Sequence, residues 1–187
     1  MLAASGIDCG IAVEDLLDGQ SEGAVKFTLE QLRADGFAGF VAVQDLRASK
    51  GQVPDACGVY VVIRVGSGAP TFIEKSPAGW FKGQDPSRLL FTLEGKWVPG
   101  ASLVYIGKAG PTKGRTLRRR ISELLDFGAG LPKAHRGGSA LWQLADAQAL
   151  LVGWKPTETL DPREVEKAML AEFREAFGSL PYANFQS

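Results

Sequence analysis

Two tyrosines in short apolar segments are the residues with the clearest potential for chemistry. Tyr60 lies within residues 58–65 and Tyr105 within residues 103–108. Both segments are rich in β-branched and aromatic residues, which predicts strands. A strand tyrosine usually packs its ring and hydrogen-bonds its hydroxyl. A phenol has a pKa of about 10, so it can serve as a base at neutral pH only where a neighbouring cation lowers that value.

A cluster of cations follows the second tyrosine. Its members, with no acidic residue between them, are Lys108, Lys113, Arg115, Arg118, Arg119 and Arg120. Residues 117–127 are predicted to form a helix with Leu117 and Ile121 on its apolar face, and Arg120 flanks that face. The cluster is a local positive patch that suits a few phosphate contacts.

One carboxylate is placed on the apolar face of the last predicted helix. Asp161 suits the N-cap of this helix and Glu164 completes a capping box. At about 100° per residue, Glu166 lies near the middle of an apolar face that includes Met169 and Phe173. A carboxylate there must pair with a cation, accept hydrogen bonds or bind a metal. An ion pair with one of the arginines at 118–120 and a divalent-metal site both remain open.

The order of elements predicts a mixed α/β domain with a small sheet of about three core strands flanked by helices. We expect residues 1–56 to form an N-terminal extension and residues 57–187 the main domain, with an insert at about 66–102. Within the insert, short strands are predicted near Phe72 and Phe91. Residues 140–144 and 150–154 are predicted to form two further strands, or one strand plus a turn. A short helix is predicted at 27–34, and strand and helix compete at 40–46.

Composition excludes several classes of protein. One histidine and two distant cysteines, Cys9 and Cys57, rule out a His/Cys zinc cluster. The glycines near Lys108 miss the spacing of a nucleotide-binding P-loop. The net charge of zero is unusual for a general nucleic-acid binder. No apolar run is long enough to span a membrane, and the few cysteines favour a reducing, cytoplasmic setting.

The order of several short motifs resembles that of the GIY-YIG nuclease superfamily. The motifs are Gly58-Val59-Tyr60, Tyr105-Ile106-Gly107, a Leu-x-x-Arg-Ile run that ends at Ile121, the helix of Glu166, and a Pro-x-x-Asn run that ends at Asn184. The resemblance covers residues 58–184. This chain departs from the family in the roughly 40 residues between the two tripeptides and in a longer loop before Leu117.

The resemblance implies a metal-dependent endonuclease that acts on nucleic acid, DNA ahead of RNA. Glu166 would hold a single Mg²⁺ or Mn²⁺ ion. Glu172 competes for this role, because its distance to Asn184 is similar to that in some relatives. Glu166 is preferred because the apolar residues Met169 and Leu170 follow it as in the family. Tyr60 and Tyr105 would line the cleft, with Tyr105 accepting the proton of the attacking water.

The remaining site residues follow from the same resemblance. Arg120 would clamp the scissile phosphate, Lys108 and Arg120 are the candidate cations that would lower the pKa of a tyrosine, and Asn184 would hold the geometry of the site. Gly107 would allow close approach to substrate. Substrate contacts are also expected for Arg118, and His135 could aid proton transfer.

A second reading stays open on the same fold. The neutral charge and the long insert also suit a non-catalytic module that binds nucleic acid or a protein partner, and a partner could equally serve to target a nuclease. The insert interleaves aromatic and basic residues, which fits unpaired bases but fits a small packed subdomain as well.

Overall fold

The structure, a computed structural model, describes residues 26–66, 68–110, 114–135 and 137–185. Its helices are α1 (Leu29–Ala34), α2 (Val43–Ala48), α3 (Leu90–Lys96), α4 (Leu117–Gly128) and α5 (Pro162–Phe177). Its strands are β1 (Ala38–Ala42), β2 (Gly58–Ile63), β3 (Leu103–Ala109) and β4 (Leu151–Pro156). Residues 1–25 of the predicted N-terminal extension, including Cys9, lie outside the described residues.

The strands form one antiparallel sheet in the order β1-β4-β2-β3. This confirms the mixed α/β class, with four strands where about three were predicted. The additional strand, β1, comes from the segment before residue 57. The apolar run at 40–46 supplies both competing elements, because β1 ends at Ala42 and α2 begins at Val43.

Strand β2 is buried on both faces of the sheet and divides the core in two. Because side chains alternate along a strand, Tyr60 and Val62 pack on the side of α4, among buried residues such as Ile121. Val59 and Val61 face the other side, where Phe173 of α5 is buried. Helices α4 and α5 therefore cover opposite faces of the sheet.

The C-terminal segment covers the outer edge of β3. The backbone N–H of Ala183 donates to the carbonyl of Val104 at 2.9 Å. The side-chain amide of Asn184 donates to the carbonyl of Ile106 at 2.8 Å and accepts from its N–H at 3.0 Å. A strand edge that is satisfied in this way is closed to further pairing.

The strand predicted near Phe91 is wrong, because Phe91 lies in helix α3. For residues 140–154, the alternative of one strand plus a turn is confirmed, since β4 begins at Leu151 and Ser139–Gln143 is a short 3₁₀ helix. All residues of this 3₁₀ helix are buried. A short run of buried residues has no alternation of apolar and polar positions, so its pattern cannot distinguish a strand from a helix. The predicted strand near Phe72 is a single bridge to Leu144.

The insert is fastened to the domain by the buried side chain of Gln143. Its amide nitrogen lies 3.0 Å from the carbonyls of Ile73 and Arg88, and its oxygen accepts from the N–H of Arg88 at 2.7 Å. Phe72 and Trp97 of the insert contact Tyr182, with ring centroids 5.7 and 5.5 Å from that ring. In the described part of the chain, no helix is both long and apolar enough to cross a membrane.

Candidate active site

A cleft of about 140 Å³ opens where β2 and β3 meet α4 and α5. The side chains and backbone that line it are Tyr60, Tyr105, Lys108, Ala109, Gly110, Arg115, Arg120 and Glu166. The residues predicted from the sequence as base, cations and metal ligand are therefore brought together by four separate elements. Arg115 belongs to this cleft as well, although only its membership of the basic cluster marked it in the sequence.

The two tyrosines are held side by side by the pairing of β2 with β3. Tyr60 faces Gly107 across the ladder and Tyr105 faces Val62, which leaves the two rings 5.9 Å apart at 55°. A Cβ at Gly107 would lie 2.5 Å from the Tyr60 ring and 2.6 Å from its hydroxyl. The space beside Gly107 is therefore occupied by the Tyr60 ring, not left open for substrate as we expected.

Replacing Gly107 with alanine is expected to lower the free energy of unfolding by about 1–3 kcal/mol, because the new methyl group displaces a fully buried ring. Gly95 is the matched control, since it lies inside α3 and a Cβ there meets nothing within 4 Å. Gly95→Ala should stabilise the protein by about 0.5–1 kcal/mol through the higher helix propensity of alanine. Urea denaturation of both variants measures the difference, and equal effects would refute this role of Gly107.

A buried hydrogen-bonded chain runs behind the cleft. Nε2 of His135, which has no solvent exposure, lies 3.3 Å from the Tyr60 hydroxyl. Nδ1 has no hydrogen-bond partner among the described residues. We assign the ring proton to Nε2, because a lone pair is cheaper to leave without a partner in the core than an N–H. His135 then donates to Tyr60, and a hydrogen bond links the hydroxyls of Tyr60 and Tyr105.

The surroundings of the cleft shift the pKa values of the two tyrosines to different extents. Burial raises the pKa of both tyrosines above the usual range, and most strongly that of Tyr60. The hydrogen bond from Tyr60 and the charge of Arg120 lower the pKa of Tyr105, while the charge of Glu166 raises it. Tyr105 is therefore the phenol that ionises first, and a cation placed against Glu166 would favour that ionisation further.

Burial, aided by the nearby charge of Arg120, holds the pKa of His135 well below its usual value. The folded protein thus keeps His135 neutral, whereas the unfolded chain takes up a proton as the pH falls through about 6.5. Stability contributed by neutral His135 is present above that pH and is lost as the pH falls below it. Urea denaturation at about pH 7.5 and about pH 5 should show that the free energy of unfolding falls more for the wild type than for His135→Gln as the pH is lowered. Parallel pH profiles would contradict the assignment.

Glu166 is oriented toward the cleft by the start of α5. The side chain of Asp161 accepts from the N–H of Arg163, Pro162 occupies the first turn, and the helix ends at Gly178 in a left-handed conformation. Glu166 is partly buried and forms an ion pair with Lys108 of β3, not with the arginines considered from the sequence. Glu172 is solvent-exposed on the same helix.

The basic residues of α4 divide between the cleft and other contacts. Arg120 pairs with Glu123 at 2.9 Å and donates to the carbonyl of Ala134 at 3.1 Å, while its guanidinium borders the cleft. Arg118 points away and donates to the carbonyl of Val53 at 2.8 Å, so it ties α4 to the preceding segment. We had expected Arg118 to contact substrate, and its place in the fold offers no such contact in the cleft.

Two residues act on the site from behind it. Asn184 holds both backbone groups of Ile106, the residue between Tyr105 and Gly107, and so fixes the strand that carries the tyrosine. His135 is buried behind Tyr60 and does not face the cleft. A Cβ at Gly137 would lie 2.8 Å from the Tyr105 hydroxyl, so the loop after His135 also closes on that group.

The donor set of the cleft fits a divalent cation only if substrate completes its coordination. No group of three or more His, Cys, Asp or Glu side chains is assembled within the described residues. Mg²⁺ is commonly bound through one or two carboxylates together with waters and substrate phosphates. Glu166, partly exposed at the cleft, can serve as that single carboxylate once Lys108 releases it.

Comparison with protein-family models, curated proteins and solved structures finds no match for this chain.

Proposed function

We propose that this protein is a metal-dependent phosphodiesterase that cleaves nucleic acid, with DNA preferred to RNA, by chemistry of the GIY-YIG type. The observation that supports the proposal is the convergence of a carboxylate, two phenols and three cations on one cleft. These residues come from β2, β3, α4, α5 and the loop before α4, so no local sequence feature forces them together.

In the proposed reaction, Tyr105 first loses its own proton to solvent at the cleft, and the resulting phenolate oxygen accepts a proton from the attacking water. Tyr60 and His135 hold the Tyr105 oxygen in place by donating along the buried chain. The planar guanidinium of Arg120 binds the phosphate through two parallel hydrogen bonds and offsets the charge that develops in the transition state. Lys108, once separated from Glu166, adds positive charge at the same phosphate.

Glu166 would hold the divalent cation, Mg²⁺ or Mn²⁺, together with oxygens of the bound phosphate. When bound, such a cation supplies positive charge that polarises the phosphodiester and assists the departure of the leaving oxygen. Without the cation, Lys108 pairs with the Glu166 carboxylate, so this partly buried charge is not left unpaired. Metal and substrate are therefore expected to bind together more tightly than either binds alone.

The charge distribution supports a nucleic-acid substrate in spite of the neutral total. Lys108, Arg115 and Arg120 all border the cleft, so three members of the basic cluster lie where a phosphate would bind. A patch of this size suits two or three phosphate contacts, which predicts a shallow dependence of affinity on salt.

The test is incubation of the purified protein with single-stranded, duplex and branched DNA and matched RNA, in Mg²⁺ or Mn²⁺ and in EDTA. We expect metal-dependent cleavage of at least one DNA substrate, slower cleavage of RNA, and none in EDTA. Absence of cleavage throughout the panel would overturn the proposal.

One observation favours the alternative of a module that binds without cleaving. The only carboxylate that lines the cleft among the described residues is paired with Lys108, and burial raises the pKa of both phenols. Calorimetric titration with Mn²⁺ in the presence of an uncleavable phosphorothioate oligonucleotide separates the two readings. Oligonucleotide binding that does not depend on metal would favour the module.

A further inference from the structure

A second cavity, of about 150 Å³, lies between the insert and the end of α4. Among the groups that line it are Phe81, Gln84, Asp85, Ser87, Phe127 and Ser139. An engineered protein cavity of about 150 Å³ can hold a benzene molecule. The volume therefore admits one six-membered aromatic ring.

A tight turn fixes two of these side chains on the cavity wall. Phe81 and Gln84 form an isolated antiparallel bridge, and the N–H of Gln84 donates to the carbonyl of Phe81 at 3.2 Å. The two residues between them, Lys82 and Gly83, have φ angles of 53° and 71°. Two successive positive φ values are typical of a type I′ hairpin turn, but a lysine adopts one only under strain. Strain of this kind tends to occur at functional sites.

The chemistry of the wall matches that of a nucleobase. Phe81 and Phe127 provide aromatic surface, while Gln84, Asp85 and Ser87 provide an amide, a carboxylate and a hydroxyl. An amide can pair with adenine and a carboxylate can accept from the amino group of cytosine. The hydroxyl and backbone N–H of Ser87 lower the pKa of Asp85, which therefore stays an acceptor at neutral pH.

The surroundings of the cavity suit a single strand. Trp80, next to Phe81 in the chain, is 58% exposed, and the Lys82 ammonium lies 5.6 Å from the centre of the Phe81 ring. Exposed aromatic rings interleaved with cations are the usual platform for unpaired bases and their phosphates. The interleaved aromatic and basic residues noted in the sequence of the insert therefore lie next to the cavity.

The cavity also lies within reach of the cleft. Phe127 follows Arg120 by seven residues on α4, which puts the two side chains on the same helix face, about 10 Å apart along the axis. At about 3.4 Å per stacked nucleotide, that separation corresponds to roughly three nucleotides. Ser139 on the cavity wall is two residues from Gly137, where a Cβ would lie 2.8 Å from the Tyr105 hydroxyl.

We propose that this cavity binds one unpaired base of the nucleic-acid strand, about three nucleotides from the phosphate in the cleft. The inference rests on the proposed function for its substrate class and gives the insert a role in choosing single-stranded or distorted sites. Flipped or unpaired bases are read in this way, by stacking together with contacts to the base edge.

The experiment measures binding of fluorescein-labelled single-stranded DNA by anisotropy in EDTA, where no cleavage can occur. Phe81→Ala should weaken binding about tenfold, the usual effect of removing one stacking ring. Phe91→Ala is the matched control, because Phe91 is 70% exposed in α3 of the same insert but does not line the cavity. Gln84→Ala, at an exposed position, provides a second variant should Phe81→Ala fail to fold.

A series of oligonucleotides, each with one abasic position, then locates the bound base. The wild type should lose about tenfold in affinity at one position, and Phe81→Ala should lose nothing more there. The same series in RNA shows whether the sugar matters. Equal binding by Phe81→Ala and Phe91→Ala would overturn the subsite even if the protein cleaves DNA. So would affinity losses from Phe81→Ala and from the abasic position that add together. Binding that depends on Phe81 without any cleavage in Mg²⁺ would retain the subsite and reject the nuclease.

Discussion

The Glu166→Gln variant is expected to cleave DNA about 10²–10³-fold more slowly than the wild type in Mg²⁺ or Mn²⁺. Glutamine keeps the size of the side chain and a hydrogen-bond acceptor for Lys108 but removes the negative charge that a divalent cation requires. Single-turnover cleavage with saturating substrate measures the loss. Thermal unfolding of the same sample checks that the partly buried position still folds.

Glu172→Gln is the matched control for this prediction, because Glu172 lies on the same helix with its side chain in solvent. It should cleave at the wild-type rate. Full activity of Glu166→Gln together with an inactive Glu172→Gln would show that the other carboxylate is the metal ligand. Equal losses in both variants would point to an effect on α5 as a whole.

Arg120→Ala is expected to lower the rate by about 10³-fold, because it removes the only guanidinium of the α4 triplet that borders the cleft. Arg120→Lys keeps a positive charge but loses the planar fork, so about 10²-fold should still be lost. The losses should appear in the rate of the chemical step measured in single turnovers, with smaller changes in substrate affinity.

Arg119 provides the control for Arg120 from the adjacent position. Its side chain is largely exposed and pairs with Glu123 at 3.3 Å, an interaction worth little at the surface. Arg119→Ala should reduce cleavage by less than about threefold. A loss in Arg119→Ala as large as that in Arg120→Ala would mean that the whole basic helix attracts nucleic acid and no single arginine clamps the phosphate.

The parts of the site that depend on local patterns could be predicted from the sequence. Tyr60 and Tyr105 lie in segments whose β-branched residues favour strands, and the caps of α5 fix the direction of Glu166. The partner of Glu166 could not be predicted in the same way. Its ion pair with Lys108 depends on how closely α5 packs against the end of β3, which no periodicity encodes.

Two further features could not be predicted from the sequence pattern. His135 is in a loop without periodicity, so its burial behind Tyr60 follows only from the path of that loop. Gln143 lies in an apolar run that suggested a strand, yet its amide is the hub that holds the insert. Glu123 could have been found, because it lies three residues after Arg120 on the same predicted helix and can reach its guanidinium.

The most direct test of the proposed hydrolysis is a single-turnover cleavage in Mn²⁺ and ¹⁸O-labelled water, with the product analysed by mass spectrometry. We expect one ¹⁸O atom in the terminal phosphate of the product, about 10²–10³-fold slower formation of that product by Glu166→Gln, and no product in EDTA. Product that carries no ¹⁸O, or that forms equally well without the metal, would contradict water attack at a metal-dependent cleft.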